Sequence, residues 1–121
     1  MIYTASSAAL AALEILANRT NELPDDYIAV SVDIPNDLRI ITLSETDLPN
    51  NWRANPHPVE TRNLGGEWSR DLKSAVLGVP SAVIPWERNY ILNPAHSSFD
   101  RIRFGEPKAF RWDDRLRRRT P

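Results

Sequence analysis

The chain has no cysteine, only four glycines, two histidines and no long apolar run, and each shortage removes a class of protein. Without cysteine, neither a disulfide framework nor a thiolate metal site can form, which fits a cytoplasmic protein. His57 and His96 are too few and too isolated for a metal constellation by spacing. No apolar stretch approaches the roughly twenty residues that cross a bilayer, so no membrane span is expected. No basic segment precedes the apolar run near the N-terminus, which argues against a signal peptide. Fifteen Lys and Arg against sixteen Asp and Glu leave a net charge of -1. Direct nucleic-acid binding, which draws on a basic surface, is therefore not expected. The few glycines form no phosphate-cradling loop.

What remains suits a single domain, since 121 residues support one core and not two. Ten prolines predict short, punctuated elements rather than a helical bundle. The organising stretch is YTASSAALAALEILA, Tyr3 to Ala17, read as a strand end running into a helix capped by Ser6 or Ser7. From Ala8 to Ala17 every residue but Glu14 is apolar, and a helix apolar all round is expected to be buried. Glu14 shares its surface with Leu10 and Ala17, one turn to either side. Either it is a charge at the helix rim, or it is a functional carboxylate looking into a cleft.

YIAVSVDIP, Tyr27 to Pro35, alternates with period two and predicts one strand with Ile28, Val30, Val32 and Ile34 toward the core. Leu38 to Leu43 predicts another short strand, and Ser44 with Asp47 a single capped turn. Trp52 is expected to anchor its polar loop. Leu64, Trp68 and Leu72 recur every four residues within Val59 to Ser74, a helical stripe in which Gly65 and Gly66 predict a kink or a close backbone approach. Ala75 to Val79 and Ser81 to Ile84 read as strand pieces joined at a bend, with Ser81 at the bend as either a turn residue or a buried, directed hydroxyl. Tyr90 to Leu92, the Asn93-Pro94 turn, Arg101 to Phe104, and a last strand near Phe110 and Trp112 complete the pattern. His96 is expected to hold its own loop. A Ser81–His96–Asp100 triad lacks the glycine pattern of a nucleophile elbow. The surviving constellation is Tyr3, Glu14 and Ser81.

Four segments in order, YTASSAALAALEILA, LPDDYIAVSVDIP, LPNNWRANPHP and VPSAVIPWERNYILNPAH, resemble the RES domain, over about Tyr3 to Phe104. That family comprises toxins of RES–Xre toxin–antitoxin modules, which resemble ADP-ribosyltransferases in fold and degrade NAD. The resemblance implies an α/β (α+β) fold, a small mixed sheet with flanking helices. It implies Glu14 and Ser81 as catalytic residues and Tyr3 as a substrate-binding residue against the nicotinamide ring. It further implies that Ser81 bonds the ribose or holds Glu14. NAD is then a substrate and no separate cofactor is called for. An Xre-type antitoxin is the implied protein partner, a homodimer is a further option, and neither a membrane nor a nucleic acid is engaged directly. The family's namesake Arg lies on a segment ahead of the tyrosine strand, and no motif moves its role to Arg19, Arg53, Arg62 or Arg88. The expectation is therefore one RES-like domain, 1–121, incomplete at its N-terminus and weakened in activity, with residues 105–121 a partly flexible basic tail. The competing readings are a non-catalytic remnant that keeps an antitoxin-binding or self-association surface, and a protein ADP-ribosyltransferase.

Overall fold

The computed structural model describes residues 1–19 and 22–117. Its centre is a mixed four-stranded sheet in the order β1-β6-β5-β4. The strands are β1 (Ile2–Ala5), β4 (Ile40–Thr42), β5 (Val76–Pro80) and β6 (Arg88–Leu92). β6 pairs antiparallel with β1 and β5, and β4 joins β5 in parallel after the α2 (Val59–Asp71) crossover. The opening strand β1 lies at one edge. This is the small mixed sheet with helices that the sequence predicts.

Alternation along the paired strands sorts the side chains onto two faces. One face carries Leu77, Val79 and Ile91, packed with Ile41, Leu43 and Trp68 of α2. On the other, Val76 and Leu92 pack with Leu38 and Ile102, and against Ile2, Val32, Ile34, Tyr90 and Phe99. Gly78 belongs to this second face. A Cβ there would meet the Tyr90 ring at 3.3 Å and Thr42 Oγ1 at 3.4 Å. The glycine thus admits a cross-strand ring, and β5 runs through it to Pro80, where the chain bends away as expected. The residues from Ser81 to Ile84 form no strand piece; they begin the turn into β6.

Further expectations are corrected. The 27–34 strand is split into β2 (Tyr27–Ala29), paired with β8 (Lys108–Phe110), and β3 (Val32–Asp33), paired with β7 (Arg103–Phe104). Between them residues 30–31 face residues 105–107, an unequal count that makes a bulge, and Pro107 has no N–H to continue the ladder. Gly105 N donates to Ser31 O at 2.8 Å, and a Cβ on Gly105 would run into Ser31 Oγ. The bulge reverses the faces. Val32 and Ile34 pack inward as predicted, but Ile28 and Val30 are exposed, while Tyr27 turns in to meet Trp112 edge-on at 5.6 Å.

Helix α1 (Ala8–Asn18) is not buried all round: Leu10 is buried, whereas Leu13 is exposed. It docks against an edge strand, so only one side finds cover. Alanine, the best helix former, loses little by leaving a methyl in water. Ser7 is its cap, accepting from Leu10 N at 3.1 Å. Helix α2 passes through both glycines unbroken, and no atom approaches Gly65. Leu72 leaves the stripe, ending the helix in the left-handed region at φ 55° with its side chain exposed.

Other local readings stand. Ser44 N donates to Asp47 Oδ2 at 2.8 Å at the head of a single 3-10 turn, Trp52 is buried, and His96 Nδ1 accepts from Ser98 N at 3.0 Å. Residues 105–117 hold β8 and the short helix α3 (Asp114–Arg117). There Asp113 raises the Arg115 guanidinium above its ordinary range through a hydrogen bond, and Arg117 pairs with Asp25. Arg118 and Arg119 of the basic cluster lie outside the described residues.

Buried polar links tie α2 to the sheet. Trp68 Nε1 donates to Ser74 Oγ at 2.9 Å, and Ser74 Oγ donates to Val76 O at 2.8 Å. Asn93 Nδ2 donates to Ser69 O at 3.0 Å. Ser74→Ala strips the indole N–H of its acceptor in a dry site, at an expected cost of about 1–3 kcal/mol. Urea denaturation followed by tryptophan fluorescence measures it.

Candidate active site

The strand ends opposite the Asn93 turn converge at one end of the sheet. Ser6 N donates to Arg88 O at 3.0 Å, Ser81 N to Glu87 O at 2.8 Å, and Leu43 N to Gly78 O at 2.8 Å. Here β6 begins, β1 and β5 finish, and helix α1 sets out from Ser7. The three residues singled out from sequence can be placed relative to this end.

Tyr3 pairs with Ile91 across β1 and β6, so its ring belongs to the helix-covered face, yet it is 69% exposed. It is an aromatic surface beside α1. Two residues on, about 7 Å along the strand, Ala5 pairs with Asn89 on the same face. Asn89 in turn faces Val79 on β5. Glu14 reaches down from α1 to this row. Asn89 Nδ2 donates to Glu14 Oε1 at 2.6 Å and, more weakly, to Thr4 O at 3.3 Å. The carboxylate is half-buried and aimed at the sheet, not at bulk water. Among the described residues its second oxygen has no hydrogen-bond donor, so it is open to a ligand hydroxyl.

Ser81 sits at the same end of the sheet but is fully buried, and its hydroxyl serves its own turn. Ser81 Oγ accepts from Val83 N at 3.1 Å and from Ile84 N at 3.2 Å. It makes no bond to Glu14. The expectation that Ser81 might hold the acid is corrected: Asn89 does so, because it stands on the helix-covered face directly under Glu14. His96 and Asp100 form no triad with Ser81, since His96 Nδ1 is spent on Ser98 N.

Two arginines gather around the turn. Arg53 Nε donates to Ala82 O at 2.8 Å and its Nη2 to Val83 O at 3.4 Å. Arg88 Nη1 donates to Leu43 O at 3.4 Å. Arg53 braces the turn through neutral carbonyls, Arg88 ties the start of β6 to the residue after β4, and neither forms an ion pair among the described residues. Trp86, at the tip of the turn, is 82% exposed. No group of three or more His, Cys, Asp or Glu among the described residues could hold a metal ion, and no described helix is long and apolar enough to cross a membrane.

Asn89 escaped the sequence reading, although a signal was there. In the RNYIL strand the period-two pattern puts Asn89 on the same side as Ile91, and a polar side chain on an apolar face needs a partner.

Comparison with known proteins decides the family. The RES domain model matches residues 1–113. This chain is a member of the RES domain family. A relative named "Toxin Res" from Yersinia enterocolitica is 37% identical over 118 residues, which are 96% of this chain and 77% of that protein. A second "Toxin Res", from Photorhabdus laumondii, is 39% identical over 99 residues, 81% of this chain and 63% of the relative. A "Prs ADP-ribosylating toxin" from Sphingobium is 30% identical over 125 residues, 99% of this chain and 76% of the relative. In this RES domain the strand end with Tyr3, the helix with Glu14 and the turn with Ser81 all fall within the matched residues.

Ser81→Ala removes the acceptor of two backbone N–H groups in the RES domain. A loss of about 1–3 kcal/mol in unfolding free energy is expected, with a change in Trp86 emission as the turn loosens. Denaturation monitored by fluorescence reads both; an unchanged midpoint would mean that the turn holds without its hydroxyl.

Proposed function

We propose that this chain is a toxin that consumes NAD by cleaving the bond between nicotinamide and ribose. The observation carrying the proposal is the Glu14 carboxylate, half-buried, held on one oxygen by Asn89 and open on the other, on the same face as the exposed Tyr3 ring. Cleavage of that bond passes through an oxocarbenium-like sugar, as glycoside hydrolysis does. A carboxylate held beside the developing positive charge stabilises it without having to reorganise. In this scheme the free oxygen of Glu14 meets a ribose hydroxyl, and Tyr3 packs on the nicotinamide ring. Ser81 shapes the wall: its turn, braced by Arg53, closes the end of the sheet beside the acid. Water attacks the anomeric carbon as nicotinamide leaves, giving ADP-ribose.

The names of the relatives support a toxin, and the family resemblance supplies NAD as its substrate. An NAD-consuming toxin acts where NAD is held, so the cytoplasm is its proposed location. An Xre-type antitoxin that covers the site is its proposed partner. One observation favours a second reading. The Sphingobium relative is named as ADP-ribosylating, so in place of water a protein side chain would accept the ribose. The same Glu14 serves either acceptor, because the charge it stabilises is the same.

Glu14→Ala is expected to lower nicotinamide release from NAD by about 100-fold or more, with a native circular-dichroism spectrum. An unchanged rate would remove Glu14 from the chemistry. Labelled NAD separates the acceptors: label appearing as free ADP-ribose identifies water, and label retained on a protein band identifies transfer.

A further inference from the structure

We propose that Asn89 is the positioning residue of the site, holding the Glu14 carboxylate in the orientation that meets the ribose. The assignment rests on the reading of Glu14 as the acid of NAD cleavage. It goes beyond that reading by saying what fixes the acid's direction.

A glutamate on a surface helix has three rotatable side-chain bonds and, unrestrained, spreads over several rotamers. An acid that must stand against a developing charge cannot do so, because a misplacement of about 1 Å costs about 100-fold in rate. Nothing on α1 itself restrains Glu14. The restraint comes from β6, 75 positions away in the chain, through the 2.6 Å bond from Asn89 Nδ2 to Glu14 Oε1.

Asn89 is itself rigidly mounted. Its strand lies between β1 and β5, so its backbone is paired on both sides, with Ala5 and with Val79. Its amide nitrogen also donates to Thr4 O at 3.3 Å, which fixes the plane of the group. Both amide hydrogens are thereby committed, one to the acid and one to the strand that carries Tyr3. The platform that aims the acid is thus the platform that places the aromatic ring. A carboxamide also donates at every pH, whereas an aspartate at this position would donate only when protonated. A bond on one oxygen alone leaves the other free for substrate.

The opposing possibility is that Asn89 merely pins α1 to the sheet. Two variants, assayed for nicotinamide release and thermal unfolding on the same preparations, distinguish the roles. Asn89→Leu keeps the bulk and removes the donor. It is expected to lower kcat by about 10- to 100-fold with KM for NAD within about twofold of native. Asn89→Asp is isosteric and donates only in its protonated form, so its rate relative to native is expected to rise as pH falls toward about 5. A structural pin predicts no kcat-specific loss in the folded protein, and it predicts that any recovery of rate at low pH follows a recovery of melting temperature, whereas the positioning role predicts recovery at unchanged melting temperature. Asn89→Leu with kcat within about twofold of native overturns the proposal. Should Asn89→Leu fail to fold, Asn89→Asp decides, and a flat activity ratio across pH overturns it.

The native protein is run beside them, together with Glu14→Gln observed by NMR at the Asn89 side-chain amide. A native protein that consumes no NAD overturns the functional reading, and the role given to Asn89 falls with it, even where the amide resonances move in Glu14→Gln. A native rate with an unaffected Asn89→Leu overturns the positioning role alone.

Discussion

The five-residue ladder between β5 and β6 is the constraint on which the rest of the structure hangs. Its register, from Val76 opposite Leu92 to Pro80 opposite Arg88, decides which side chains face the helices. A slip of one residue would send Asn89 to the far face and bring Tyr90 under Glu14. The register is held from both sides. Val76 and Leu92 are fully buried on one face and Leu77 on the other, so any slip exchanges two filled layers. Gly78 adds a lock, because the Tyr90 ring lies over the one position without a Cβ.

The interior polar groups carry the second layer of specification. Ser74, Ser81 and Asn93 are each at most 4% exposed, and each lies at an end of the β5–β6 pair. Ser74 and Asn93 bond helix α2, Ser81 bonds the turn that follows β5, and Asn93 also accepts from Ala95 N in the loop after β6. Buried polar groups cost free energy unless partnered, so each also dictates where its neighbour must lie. Asn89 likewise joins the sheet to α1 through its bond to Glu14. In this fold the apolar core decides which layers meet, and polar bonds decide their alignment.

The site inherits its geometry from that alignment. Tyr3, Asn89 and Glu14 come from three elements, β1, β6 and α1; the β1–β6 register puts Tyr3 and Asn89 on the same face, and Asn89 bonds Glu14 there. The Ser81 turn, braced by Arg53, closes the same end of the sheet. Membership of the RES domain family and the names of the relatives support a toxin; the half-buried, singly held Glu14 is the feature on which the proposed cleavage of NAD rests.

Much was legible in the linear chain, and the boundary of legibility has a physical cause. Local signals foretold local outcomes: the Ser7 cap, the Ser44–Asp47 turn, the Asn93-Pro94 turn and the His96 loop each depend on atoms a few residues apart. Periodicity predicted β1, β4, β6 and α2, and the odd acid in an apolar helix marked Glu14. Non-local outcomes were hidden. The split of the 27–34 strand was set by its partner strand, where Gly105 and Pro107 make the bulge, and no pattern within YIAVSVDIP reports on that partner. The exposure of α1 followed from its seat on an edge strand, which its own composition does not encode. The chain alone determined which elements form and which side chain carries the unusual charge. Only the tertiary structure decided that Asn89, and not Ser81, grips Glu14, because a hydrogen bond spanning 75 positions depends on which strands pair and in what register.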